Sequence, residues 1–276
     1  MVQGEIKEIF RRGSKTYFYN SIFFPEPARE DVFILYSFVR KADNFVDSIP
    51  QRKEEFCRFR EDFCSALDGE KTGDVVLDSF AALARRRGFE LKWTEAFLDS
   101  MEMDLTKGVY QTIDETINYI YGSAEVIGLM MSKILGIDES YYPQARSLGK
   151  SMQYINFIRD IDEDIRLGRN YFPREEMKRF GLESLEYDHV SGRRDGFLKF
   201  MDSQIKRYRG WQDDAETAFK AIPRRYRIPV QNASDMYNWT AEKIARDPFI
   251  VYRRKVKPSK VRIVANLLGK KIAMKS

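Results

Sequence analysis

The stretch Gln153–Pro173, reading QYINFIRDIDEDIRLGRNYFP, constrains this chain more than any other. Tyr154, Ile155, Phe157, Ile158, Ile161 and Ile165 recur at helical rather than strand spacing. On that helix Asn156, Asp160 and Asp164 fall at i, i+4 and i+8, with Gln153 one turn earlier, so their side chains form one polar stripe. Asp162 and Glu163 point elsewhere. Gly168 ends the helix and Pro173 forbids a restart. Two carboxylates and an amide with no base between them repel one another unless a cation is present. Hard oxygen ligands one turn apart suit Mg²⁺, which takes one or two carboxylates and completes its shell with water and substrate phosphate. A lone DxxxD is more simply read as a solvated acidic face. Apolar flanks and a second acidic pair argue against that reading here.

The second pair is Asp43 and Asp47, in LYSFVRKADNFVD. Tyr36, Arg40, Asp43 and Asp47 fall at i, i+4, i+7 and i+11, which is one helix face. An arginine one turn before two carboxylates is placed to grip the far end of a diphosphate. Asn44, between the two aspartates, points off that face.

These residues carry a resemblance to the squalene/phytoene synthase family, the head-to-head trans-prenyl transferases. The family's QxxNxxRDxxED is matched by Gln153, Asn156, Arg159, Asp160, Glu163 and Asp164, and its GRxYxP by Gly168, Arg169, Tyr171 and Pro173. Its first motif, DDxxD after an arginine, appears as Arg40, Asp43, Asn44 and Asp47. The helix NYIYGSAEVIGLMM resembles YCxxVAGxVG, with Tyr119, Ala124 and Gly128 matched and Glu125 in place of the middle glycine. The resemblance covers about Ser14 to Lys260. It implies an all-α isoprenoid synthase fold, a helical bundle around a deep central cavity. It also implies Asp43, Asp47, Asn156, Asp160 and Asp164 as metal ligands. Substrate contacts would come from Ser14, Tyr36, Arg40, Gln153, Asn156 and Arg254, the last in a segment similar to the family's terminal RRVxxxK. Arg40, Tyr119 and Tyr237 would stand at the reaction centre.

The implied reaction joins two identical prenyl diphosphates through a cyclopropylcarbinyl diphosphate. Two geranylgeranyl diphosphates give phytoene with Mg²⁺ or Mn²⁺. Two farnesyl diphosphates give dehydrosqualene, or squalene where NADPH supplies hydride. The absence of a dinucleotide fingerprint decides little, because the family's NADPH-using members lack one too. A catalytically silent scaffold of the same fold is the competing class, and its expected mark, loss of a motif aspartate, is not seen.

Composition narrows the remaining classes. With 276 residues, 43% hydrophobic and 32% charged, the chain reads as one globular domain over residues 1–276. A net charge of +5 and basic clusters at Arg85–Arg87, Arg224–Arg227 and beyond Arg253 invite a nucleic-acid reading. The acidic stripes oppose it, so no nucleic-acid partner is expected. Cys57 and Cys64 read as small buried or half-buried thiols of a reduced, cytoplasmic protein. The lone His189 supports neither a histidine zinc site nor a Ser-His-Asp triad. Met1–Gly13 does not read as a signal peptide. The longest apolar run, Ser123–Ile137, holds Glu125 and Lys133 and is too short to span a bilayer. Lipid substrates and product imply peripheral membrane association, helped by the basic patches. Oligomeric state is not readable.

Along the chain, the spacing predicts helices over Arg29–Val46, Glu54–Leu67, Val75–Arg87, Thr94–Thr106 with Thr94 as N-cap, Thr112–Ile120, Gly196–Ala221 and Pro229–Ala245. Pro223–Arg227 reads as a basic loop, and Val261–Ser276 as a peripheral basic tail. The small residues Gly122, Ser123, Ala124 and Gly128 predict close approach, either by a neighbouring helix or by a bulky ligand.

Overall fold

Helix boundaries follow local chemistry. Val75–Arg87 starts where Asp74 Oδ1 accepts from the Val76 and Leu77 amides, carries Arg85, Arg86 and Arg87 in its last turn, and ends at Gly88 with φ +63°. That is a side-chain cap, cations against the C-terminal dipole, and a left-handed glycine. Ile113–Ile120 begins likewise at Thr112, whose hydroxyl accepts from the Glu115 amide.

The computed structural model describes residues 4–13 and 20–273. Its helices are α1 Gly4–Gly13, α2 Ala28–Val46, α3 Lys53–Leu67, α4 Val75–Arg87, α5 Leu91–Thr106, α6 Ile113–Ile120, α7 Val126–Leu135, α8 Tyr142–Arg159, α9 Ile161–Arg166, α10 Arg174–Arg179, α11 Tyr187–Ser191, α12 Arg194–Thr217, α13 Arg224–Arg246, α14 Ile250–Arg253 and α15 Lys260–Ala273. A π turn, Tyr121–Glu125, joins α6 to α7. Among the described residues the only extended pairing is an isolated parallel bridge between Val109 and Asn170. No helix among them is long and apolar enough to cross a membrane.

Helix α8 is the central element, packed against α7, α12, α13 and the π turn. Two apolar bodies flank it. One is built on α2 to α5 and holds a phenylalanine cluster in which Phe38 and Phe80 stack at 3.8 Å and 7°. Replacing such a fully buried ring by alanine costs about 3–5 kcal/mol. The other gathers the tyrosines and phenylalanines of α6, α8, α12 and α13 and of the 170–172 segment. The first acidic helix belongs to one body and the second to the other.

Several expectations need correction. The polar stripe does not lie on one continuous helix: the chain bends at Asp160, with φ −102° and ψ 15°. Thr94 is not a cap but a buried residue in the first turns of α5, which starts at Leu91. Residues 224–227 are helical, and Pro229 lies inside α13. The Arg227 guanidinium donates to the Lys220 and Ile222 carbonyls and fastens that start. Cys57 and Cys64 are both free and exposed. The tail is a docked helix, with Ile263 and Leu267 buried against α13 and the Asn266 amide donating to Asn232 Oδ1 and Asp235 Oδ2 at 2.8 and 2.6 Å.

The small residues serve helix packing. A Cβ at Gly122 would collide with the Ala96 carbonyl of α5, and one at Gly128 with the Ala145 carbonyl of α8. Glu125, which departs from the resembled pattern, is fully buried. Its carboxylate accepts from Arg146 Nε at 2.7 Å and lies 3.0 Å from Lys150 Nζ.

Candidate active site

On α2, Tyr36, Arg40, Asp43 and Asp47 share the predicted face. Arg40 Nη1 lies 3.7 Å from Asp43 Oδ2. Burial pushes the Asp43 carboxyl up to about 7, the negative charge of Asp47 adds to this, and Arg40 offsets only part of it. Asp47 closes the helix and accepts from Arg169 Nη1 at 2.8 Å, while Arg169 Nη2 donates to the Val46 carbonyl at 2.6 Å. A guanidinium thus sits on the negative end of α2. Asn44 is exposed, as its place off the stripe requires.

Across from it, the bend at Asp160 keeps the spacing of the second stripe. The Asp160 amide donates to the Asn156 carbonyl and the Asp164 amide to the Asp160 carbonyl, each at 2.8 Å. What the bend changes is the Asp160 side chain. In a regular helix adjacent residues do not face each other, yet here Arg159 grips Asp160 with Nε at 2.9 Å and Nη2 at 2.5 Å. Lys255 Nζ lies 3.3 Å from Asp160 Oδ1 and also pairs with Glu163. Burial works to raise the Asp160 carboxyl, but Arg159 and Lys255 outweigh it and hold the group below its usual range. Asp164 has the opposite fate. Burial first, then the charge of Asp160, push it well up, against a partial pull from Arg169. Asn156 Oδ1 is buried without a hydrogen-bond donor.

Arg169 clasps the two walls. Its side chain holds Asp47, and its own amide donates to the Asp164 carbonyl at 2.8 Å. Behind it stands Asp104, near the end of α5 and almost fully buried. Asp104 Oδ2 accepts from the Tyr119 hydroxyl and Oδ1 from the Tyr171 hydroxyl, both at 2.7 Å, with Arg169 Nε 3.8 Å from Oδ1. Burial raises the Asp104 carboxyl to about 6, opposed by Arg169 and the two hydroxyls. The Asn170 amide donates to the Gly108 carbonyl at 2.8 Å, which pins the GRNYFP segment to the loop after α5.

The structure therefore brings Arg40, Asp43, Asp47, Asp160 and Asp164 into one electrostatic cluster through Arg169. Gln153 is half-buried one turn before Asn156. Tyr119 is buried behind the cluster, and Tyr237 is buried where its hydroxyl feels Arg159 and Tyr208. Ser14 lies outside the described residues. Arg254 is exposed, and its neighbour Lys255 contacts Asp160. Lys257 stands close by, its ammonium lowered to about 8 by burial and by the charges of Arg159 and Lys255. Asp104 and Lys255 were missed from the sequence. The signal for Asp104 was available: it falls with Phe97 and Met101 at i, i+4 and i+7, a carboxylate on the apolar face of α5.

Among the described residues no three carboxylate, thiol or imidazole groups converge as a ready metal cage. The donor set nevertheless fits a hard cation. Asp43 and Asp164 are half-buried beside like charges and pushed toward protonation, and Asn156 offers an unpartnered oxygen. Added positive charge relieves all three.

The family model for squalene/phytoene synthase matches residues 10–262. The chain belongs to the squalene/phytoene synthase family. Among its curated relatives are a 15-cis-phytoene synthase of Synechocystis, 28% identical over 266 residues that cover 90% of this chain and 78% of that one, and a chloroplastic phytoene synthase of Daucus carota, 28% identical over 271 residues covering 94% and 67%. Two solved structures share the fold. A dehydrosqualene synthase in complex with ligand superposes with a TM-score of 0.87 at 20% identity, covering 98% of this chain and 95% of that one. The squalene synthase HpnC from Alicyclobacillus acidocaldarius gives 0.78 at 20% identity, covering 89% and 93%. The architecture is the isoprenoid synthase fold, and squalene/phytoene synthase family members are prenyltransferases.

Proposed function

We propose that this chain is a phytoene synthase, one catalytic unit over residues 1–276 that condenses two geranylgeranyl diphosphates head to head. The first step forms a cyclopropylcarbinyl (prephytoene) diphosphate with loss of one diphosphate and one proton. The second ionises and rearranges it to phytoene, with loss of the other diphosphate and a second proton. The observation that carries the reading is the clasp by Arg169, which sets the Asp43/Asp47 wall against the Asp160/Asp164 wall. The phytoene synthases among the relatives supply the chain length.

Asp43, Asp47, Asn156, Asp160 and Asp164 would hold Mg²⁺ or Mn²⁺. When bound, such a cation supplies Lewis acidity toward the departing diphosphate. Arg40, Lys255 and Lys257 face the same place and grip phosphate oxygens as point charges or forks. Tyr36 and Tyr237 offer aromatic faces to an allylic cation, and Ser14 and Gln153 complete the substrate contacts. The Tyr119 hydroxyl donates a hydrogen bond to Asp104, and burial, with Asp104 beside it, raises that hydroxyl far above the usual phenol range. It is therefore held as a wall and a donor rather than freed as a base.

The second reading, squalene or dehydrosqualene synthesis from farnesyl diphosphate, is favoured by the names of the two structural neighbours. NADPH enters only there, for squalene. We place the enzyme in the cytoplasm, at a membrane surface that its substrates and product share.

The test is a product assay on purified protein with Mg²⁺, offering farnesyl and geranylgeranyl diphosphate separately, with and without NADPH. A C40 product independent of NADPH is expected. A C30 product overturns the chain length, and no product from either substrate overturns the enzyme reading.

A further inference from the structure

Helix α15 has two apolar faces. Ile263, Asn266, Leu267 and Lys270 follow at i, i+3, i+4 and i+7 and turn inward onto α13. Val261, Val264, Ala265, Leu268 and Ile272 follow at i, i+3, i+4, i+7 and i+11 and form a second stripe on the opposite side. Val261 is 78% exposed, Leu268 50% and Ile272 71%. A surface helix ordinarily turns its polar side to water. Here the outward side is the apolar one.

Charge says what covers it. Residues 248–276 contain no Asp or Glu and nine Lys or Arg. Lys260 borders the stripe on one side and Arg262 on the other. A second copy of the helix would set like charges together across the contact. An anionic bilayer takes both features at once, the stripe entering the acyl boundary while the bases meet headgroups. A groove of about 650 Å³ runs beside the helix, lined by Met236 and Ala265 and by the cationic Arg262 and Lys270.

We propose that the outer face of α15 is the surface by which this protein docks on anionic phospholipid bilayers. This deepens the peripheral membrane association inferred above by naming the element that makes it. The strap that leads into α15 starts at Lys255, on Asp160, so docking sets the acidic cluster at the edge of the phase that holds long-chain substrates.

The test is co-sedimentation of the full chain with equimolar phosphatidylserine/phosphatidylcholine vesicles and with pure phosphatidylcholine. No substrate or metal is present, so the result is separate from the product assay. Binding to the anionic vesicles, reversed by salt, is expected. Leu268→Glu with Ile272→Glu should reduce it at least tenfold, about the loss expected for burying two charges in place of two apolar side chains. Lys260→Gln and Arg262→Gln should each weaken it about fivefold. Melting temperature and turnover of detergent-dispersed substrate should stay at wild-type values in all three variants. Equal binding to both vesicle types, or unchanged binding by the Leu268/Ile272 variant, overturns the proposal. So does a dimer in light scattering that this variant dissolves, which would assign the face to a second copy.

Discussion

The two acidic walls offer the same pattern, carboxylates four residues apart, but they are built differently. The first is the end of an unbroken helix, and its outer member, Asp47, is neutralised from outside by Arg169. The second straddles a bend, and its inner member, Asp160, is neutralised from within by its own neighbour Arg159 and from outside by Lys255. In each wall one carboxylate is held tightly by a protein cation, and the other is held loosely and pushed up: Asp43 has Arg40 at 3.7 Å, and Asp164 a partial pull from Arg169. The loosely held members are thus one per wall. A cation that enters between the walls gains most from those two, while the paired members must first release or share a base.

The largest effect follows directly. Asp164→Asn and Asp43→Asn should each lower kcat/KM by about 10³-fold, since several kcal/mol of leaving-group stabilisation go with a lost metal ligand and each 1.36 kcal/mol is tenfold. Both variants should fold, because removing a crowded, half-buried charge relieves repulsion. Steady-state kinetics across a Mg²⁺ titration, with circular dichroism, checks this. Full activity in both would break the division between tightly and loosely held carboxylates and remove the metal assignment.

A middle effect tests what ties the walls together. Asp104 touches neither wall's carboxylates but holds Tyr119, Tyr171 and the approach of Arg169. Asp104→Asn should lower kcat about 10–100-fold with little change in KM, the range for groups that orient a metal site's ligands. Stability supplies a second readout. The Asp104 carboxyl stands near 6 in the folded chain against 3.8 ordinarily. Between those values the folded state holds a proton that the unfolded state has lost, so stability from this group falls as pH rises through the window. The asparagine variant lacks that slope. Its melting temperature relative to wild type should therefore rise from pH 4 to pH 7, without added metal. Parallel curves would mean that the carboxyl titrates normally and that Asp104 is not the buried tie described.

Much of this was legible in the sequence because helices write their periodicity directly. Val75–Arg87 carries its cap, its basic last turn and its terminal glycine in plain order, and its limits were read to the residue. Both aspartate stripes were legible for the same reason. What was not legible depends on partners far along the chain. The bend at Asp160 comes with a grip between adjacent residues that helical periodicity gives no reason to expect. The roles of Arg169 and Asp104 arise from contacts 122 and 67 residues away. The contact of Lys255 with Asp160 was not legible because the chain there is extended and outside any helix, where helical periodicity says nothing about which way a side chain turns. The docking of the tail was hidden because a helix with two apolar stripes has little contrast between its faces.

The smallest effect sharpens the comparison from its quiet side. Asn44 stands where the resembled first motif has a second aspartate, yet it is exposed and its backbone carbonyl takes the Ser48 hydroxyl at 2.5 Å. One residue after Asp43, it is rotated by about 100° around the helix axis, away from Arg40, Asp43 and Asp47. A charge placed there is in solvent, where screening weakens its pull on the cluster. Asn44→Asp should change kcat/KM by less than about twofold, and raised ionic strength should erase what remains. A gain of tenfold or more in metal affinity would mean that the first wall offers three carboxylates rather than two, and the symmetry of one loosely held carboxylate per wall would fall with it.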